Sequence, residues 1–376
     1  MEKNNTLNMN KKENIWDVTY FIIYVATLVH EFYFSTMFPQ ELLDNTARYF
    51  YITILMYVVL KLIYSKRYSR GEQIMSVALI AIFSISGVVS GYLEIVQYIL
   101  LIIGAKGVDL RKILMLYSGI AAMMLIVAFV ASQCGIIENL VYEDARRGKR
   151  YSFGCIYPTD FAAHVFYLIA ALIASFNQKI KIWWSIIIFG IALLIYKLCY
   201  AYTSVLTLIL LGVGIIIYCI KDDWKIKKGM AAIPILTALL FPALMTIYDG
   251  NQNFWYKLDL KLSYRMLYTS WGIRDYGFSL FGQHVTEYGN GLTTTYNENY
   301  FFIDDSYMRI LIEYGIIVFI AVLIIILLMS LRMIKKNQII WFMLLELVCL
   351  HSFMEHHLLE LAYNPFIIYL YAKSED

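Results

Sequence analysis

The residues best suited to chemistry lie in three short strings. The first runs from Tyr142 to Thr159 and carries Arg146, Arg147, Lys149 and Arg150. A guanidinium binds phosphate oxygens in bidentate fashion and keeps its charge at any relevant pH. Pro158 and Thr159 suit a helix start, with proline in the first turn, so Arg150 stands a short way ahead of that helix. Arg146, Arg147 and Lys149 fit two readings, substrate binding or plain attraction to anionic lipid headgroups. The second string, LSYRMLYTSW (Leu262–Trp271), reads as a short helix. Arg265 and Tyr268 are three apart in it and share a face. A glycine-bounded turn from Gly277 to Gly282 follows, with Gln283 and His284 just beyond. The third string is FFIDDSYMR (Phe301–Arg309), continuing to Tyr314 and Gly315. Asp304 there has two readings. It can cap the N-terminal amides of the helix that follows, or it can serve as a general base.

Other chemistries lack a carrier. The chain has no GxxxxGK[ST] string, no strand–GxGxxG–helix unit and no HExxH. No cofactor, metal or nucleic-acid partner is expected. His356 and His357, beside Glu355 and Glu360, have two readings, a metal site or polar groups at a helix end where water is at hand, and the second is preferred. Asp222 and Asp223 read as a solvated turn in a basic loop. The five cysteines, Cys134, Cys155, Cys199, Cys219 and Cys349, are odd in number and scattered, which argues against a disulfide framework or a zinc site.

The elements that must position these strings are membrane helices. Of 376 residues 60% are hydrophobic and 16% charged, and the mean hydropathy is +0.63. Soluble chains carry about 25% charge. The charges cluster, and between the clusters lie apolar runs close to the roughly 20 residues that cross a bilayer. Backbone amides in lipid must be satisfied within their own segment, so the runs are helices. The expectation is an all-α polytopic integral membrane protein, a single domain over 1–376. About twelve spans are expected, near 15–37, 46–64, 73–90, 92–104, 113–133, 159–176, 182–198, 200–220, 229–247, 305–329, 338–353 and 359–372. The first reads as a signal-anchor helix that is not cleaved.

Lysine and arginine set the expected orientation. With both termini cytoplasmic, twenty of the 31 fall in inside segments. Eight of the other eleven fall in two long extracytoplasmic loops, 134–158 and 248–304. They are Arg146, Arg147, Lys149 and Arg150 in one, and Lys257, Lys261, Arg265 and Arg274 in the other. Local violations of a rule the rest of the chain obeys tend to be functional. The second loop is too long for a simple connection. Its aromatics, among them Trp255, Tyr264, Tyr268 and Trp271, argue for order, as short amphipathic helices on the membrane face. Within the spans, His30, Glu31, Glu94, His164, Lys197, Glu313, Glu346 and His351 are costly in lipid and must face other helices or a cavity. His164 follows the first basic string within the next helix.

These strings resemble the Wzy-type polysaccharide polymerases, within the O-antigen polymerase and ligase superfamily. The resemblance rests on RYSFGCIYP (Arg150–Pro158) ahead of a helix, on Leu262–Arg265 with Phe281 and Gly282, on Asp304–Tyr307 through Gly315, and on Asn364, Pro365 and Phe366. It implies a membrane-embedded, GT-C-like helical bundle and an inverting, metal-independent glycosyl transfer. The donor would be a glycan on undecaprenyl diphosphate, and the acceptor a hydroxyl of a second lipid-linked repeat unit. A chain-length regulator and a flippase would be partners, in a bacterial cell membrane. In the related ligases a histidine takes the place that Asp304 holds here, which tilts the reading towards a polymerase. Asp304 would be the base, and Arg150 and Arg265 the cations that offset charge on the departing diphosphate. Arg146, Arg147, Tyr268, Tyr307, His164 and His284 are the candidate substrate contacts.

Overall fold

The computed structural model describes residues 2–43, 46–144, 148–176, 179–221, 225–295 and 297–374. Helices follow the apolar runs closely. They are α1 (Glu2–Phe34), α2 (Ala47–Tyr64), α3 (Arg70–Ser90), α4 (Glu94–Gly104) and α5 (Leu110–Gln133), then α6 (Pro158–Phe176), α7 (Trp183–Cys199), α8 (Tyr202–Ile220) and α9 (Ile233–Met245). Two short helices follow, α10 (Asn253–Lys261) and α11 (Arg265–Tyr276), and then α12 (Ser306–Arg309), α13 (Ile316–Lys335) and α14 (Ile339–His351). The one sheet among the described residues is an antiparallel hairpin of β1 (Val141–Asp144) and β2 (Gly148–Tyr151), with Tyr142 opposite Arg150.

The expected count of twelve spans is corrected. Eight helices are long and apolar enough to cross a membrane, and α4, α7 and α14 are apolar but shorter. At 11 residues α4 rises only about 16 Å, yet nearly all of it is buried between neighbours. The expected span at 305–329 is broken. α12 runs into a π-helical turn, Ile310–Tyr314, which ends at Gly315 with φ 91° before α13 begins. The expected span at 359–372 is not an α-helix but turns and a 3-10 segment, Phe366–Leu370. Pro365 has no amide to donate and disfavours helix in the residue before it. Asn364 fills the gap: its Nδ2 donates to Leu358 O at 2.8 Å and its Oδ1 accepts from Phe366 N at 3.0 Å. Such backbone is tolerated at membrane depth only inside protein. Here Tyr117 Oη donates to Tyr363 O, and the Arg332 guanidinium to the carbonyls of Tyr369, Leu370 and Ala372.

Side-chain caps explain several ends. Ser69 and Glu72 form a capping box on α3, and Gly91 closes that helix at φ 87°. Asp109 caps α5 through Lys112 N. The outward faces carry the largely exposed Ile22, Val88, Ile126 and Ile186, while Tyr20, Tyr24, Leu100 and Tyr117 pack inside. Lipid tails are as apolar as leucine, so close packing and hydrogen bonds between helices hold such a bundle. Ser185 Oγ, for example, donates to Gly212 O at 2.9 Å between α7 and α8.

The segments expected to be cytoplasmic meet at one end. Arg67 pairs with Asp17, Lys106 with Glu72, and Leu110 N donates to Lys373 O. Both long loops meet at the other end, where Tyr142 Oη donates to Asn290 O at 2.9 Å and Tyr92 Oη to Val285 O at 2.8 Å.

Candidate functional site

The loop end of the bundle holds a cavity of about 870 Å³. Its wall takes residues from the ends of α1, α2, α4 and α6, from the hairpin, from α11, from residues 289–304, from α12 and from the segment after α14. Arg150, Arg265, Tyr268 and Asp304 all line it.

Arg150 reaches the cavity from β2. Its Nε donates to Cys199 O at 3.0 Å, and its guanidinium lies 5.3 Å from the Tyr157 ring centroid. Cys199 is the last residue of α7, so the cation sits at the negative end of a helix dipole. The side chain is only 5% exposed, and both contacts fix the plane of the fork.

Arg265 opens α11 after an abrupt turn. Ser263 and Tyr264 before it have φ of 60° and 63°, a left-handed conformation that is uncommon for residues other than glycine. Asp259 on α10 holds the turn: Oδ1 accepts from Met266 N at 2.9 Å and Oδ2 from Leu267 N at 3.0 Å. The Arg265 guanidinium then bridges two acids. Nε lies 3.3 Å from Asp304 Oδ2 and NH2 lies 3.1 Å from Glu355 Oε1.

Of the two readings of Asp304, the cap falls to its neighbour. Asp305 Oδ1 accepts from Met308 N at 2.6 Å and caps α12. Asp304 instead turns to Arg265 and the cavity. Burial pushes the Asp304 carboxyl above its usual range, and the Arg265 guanidinium opposes that rise.

The break before α13 positions this string. Gly282 and Gly315 pass back to back: a Cβ on Gly282 would stand 2.0 Å from Glu313 O, and one on Gly315 would stand 2.3 Å from Gly282 N. Gln283 N donates to Glu313 O, and Ile316 N to Ser279 O, both at 3.0 Å. Two strings singled out separately in the sequence are thus one clasp. Arg309 extends it, with NH2 on both Glu287 oxygens at 2.9 and 2.7 Å, Nε on Ile303 O and NH1 on Glu313.

Several expected contacts lie elsewhere. Tyr307 is fully buried and donates to Cys349 O at 2.8 Å, away from the cavity wall. Packing took it because its ring follows the cap inward. His164 sits one layer behind the wall, between the rings of Phe32 and Tyr363 at 4.0 and 3.9 Å, with Nε2 2.8 Å from Ser35 Oγ. Ser35 and Tyr363 do face the cavity. His284 stacks on Tyr92 outside it. Arg146 and Arg147, like Asp222 and Asp223, lie outside the described residues. Lys149 is exposed and pairs with the exposed Glu143, a contact of small value. Lys197 does not face other helices. It is exposed near the end of α7, where a long stem can carry its charge to the interface. The cysteines are all free.

Sequence reasoning missed Arg48, Tyr300 and Arg309, all on the wall. A signal for two of them existed. Removing the inside segments and both loops leaves Arg48, Lys197 and Arg309 as the last three cations. Glu31 and Glu94 also face the cavity. Comparison with family models, with curated proteins and with solved structures finds no match to this chain.

Proposed function

We propose that the protein polymerises lipid-linked oligosaccharide repeat units at the extracytoplasmic face of a bacterial membrane. The observation that carries this reading is the convergence of Arg150, Arg265 and Asp304, from three distant strings, on one roomy cavity. In the proposed step, an acceptor hydroxyl oxygen bonds to the anomeric carbon of the donor glycan as the bond from that carbon to the diphosphate breaks. Asp304 takes the hydroxyl proton, help typically worth about 10²–10⁴ in rate. The electron pair leaves with the diphosphate, whose charge Arg150 and Arg265 offset where it grows. The polyprenyl tails stay in lipid. A ligase passing the glycan to another acceptor would use the same groups.

A second reading has an observation of its own. The break at Gly315 and the short, buried α4, with Glu94 and Glu313 on the cavity wall, fit a transporter of the same lipid-linked glycans, since such proteins use interrupted helices and buried acids. The test is the glycan profile of cells lacking the gene, rescued with wild type or Asp304→Asn. Single repeat units that wild type, but not the variant, extends to a ladder support polymerisation. Repeat units trapped at the cytoplasmic face overturn it in favour of transport.

A further inference from the structure

We infer that His356, His357 and Glu360 form a zinc site whose one open position faces the cavity. The inference stands apart from the glycan-transfer reading, because it rests on donor atoms alone. His357 Nδ1 lies 2.9 Å from Glu360 Oε2, and His356 Nε2 lies 3.4 Å from Glu360 Oε1. One donor atom from each of the three falls within 4.8 Å of the others. Metal–ligand bonds of about 2.0–2.2 Å place donors about 3.3–3.6 Å apart around a tetrahedral ion, so a small inward shift of the three side chains would close the set.

The surroundings of His357 suit a cation. Its ring is buried, and Asp160 Oδ1 lies 4.0 Å from Nε2 on the side away from Glu360. A neutral imidazole has one donor nitrogen and one acceptor nitrogen. Here both nitrogens look towards carboxylates, Nδ1 at hydrogen-bond distance from Glu360 and Nε2 at 4.0 Å from Asp160, and Nε2 is a buried polar atom without a hydrogen-bond partner. An ion on Nδ1 takes its lone pair and leaves Nε2–H directed at Asp160, the carboxylate–histidine–metal arrangement that orients ligands in zinc sites. A second imidazole converges on the same Glu360 carboxylate, with the two ring centroids 4.2 Å apart. A divalent ion on that carboxylate would be shared by both imidazoles.

The ligands are held in place beforehand. His357 stacks on Tyr363 at 3.7 Å and His356 meets the Phe302 ring edge-on. Two imidazoles and one carboxylate favour zinc over magnesium or calcium, which prefer oxygen. His356 and Glu360 line the cavity, so the remaining position is open to an anionic oxygen from whatever ligand enters.

The test uses the purified full-length protein in detergent, stripped with chelator, then titrated with zinc and, separately, with cobalt. The expected result is one zinc per chain by elemental analysis, and a cobalt complex with the strong visible absorption of a tetrahedral site. Glu360→Gln and His357→Gln should abolish both, and Asp160→Asn should weaken zinc by roughly tenfold or more. No stoichiometric zinc in the wild type overturns the inference. So does binding that survives the Glu360→Gln and His357→Gln changes in folded protein. Should those variants not fold, the wild-type stoichiometry and cobalt spectrum decide alone.

Discussion

The Nε of Arg265 lies 3.3 Å from Oδ2 of Asp304, and each group is supported from behind. Arg265 also holds Glu355, which is 3% exposed. Asp305, not Asp304, meets the amides of α12. Asp304 is therefore a carboxylate with a cation at its side, the cavity before it and no capping duty.

Asp304→Asn is expected to leave the fold intact and to cut chain growth by about 10²–10⁴. Asp305→Ala is expected to do the reverse, costing about 1 kcal/mol of stability through loss of the cap while leaving chemistry to Asp304. Glycan ladders and thermal unfolding of the two variants in detergent separate the roles. A normal ladder from Asp304→Asn removes it as the base.

The pH profile should follow the same carboxyl. A base works ionised, so activity falls as pH drops through its proton affinity. Burial raises that affinity above the ordinary aspartate range and Arg265 opposes the rise. The acid limb in membrane vesicles should therefore lie above the usual aspartate value, and should move higher still in Arg265→Met. A limb that stays put on removal of Arg265 would separate it from Asp304.

Arg265→Met also leaves the buried Glu355 carboxylate without its cation. Breaking such a pair from one side costs about 3–5 kcal/mol, read as an earlier thermal transition. Arg265→Lys keeps the charge but not the fork, and a single ammonium does not reproduce the contacts of Nε to Asp304 and NH2 to Glu355. That variant should fold and fail to polymerise. A normal ladder from it would reduce Arg265 to a counter-charge.

Much of this was legible because the membrane imposes strict rules on sequence. Apolar length located α2, α5 and α8 within a few residues, and charge placement pointed to Arg150 and Arg265. What escaped was whatever depends on packing inside the bundle. Residues 359–372 are apolar enough to resemble a span, yet Asn364 and Pro365 bend them into turns that other side chains satisfy. Tyr307 belonged to a telling string but its ring packs inward. The meeting of Gly282 with Gly315 leaves no trace in either string alone. Arg48 and Arg309 were findable by subtraction.

Arg150→Lys tests whether geometry or charge matters at the second cation. The guanidinium is fixed by Cys199 O and the Tyr157 ring, and neither contact suits a rotating ammonium. Removing one fixed donor aimed at developing charge typically costs about 10²–10³ in rate. The expected outcome is a folded protein whose lipid-linked single units accumulate. A normal ladder would make Arg150 a fastener between the hairpin and α7.

The Gly282–Gly315 clasp predicts coupled losses. Both residues need positive φ, 88° and 91°, and a Cβ on Gly282 would fall 2.0 Å from Glu313 O. Left-handed alanine costs roughly 1–2 kcal/mol, and forced displacement of packed backbone about 1–3 more. Glu313 holds Arg309, and Arg309 holds Glu287, whose Oε1 also accepts from Ile303 N beside Asp304. Gly282→Ala should therefore lower the thermal transition and chain growth together, by shifting Asp304 from Arg265. Gly119→Ala on α5, where a Cβ meets nothing within 4 Å, should leave both unchanged. If Gly282→Ala unfolds early but the surviving folded fraction polymerises at the wild-type rate, the clasp supports the bundle without positioning the base.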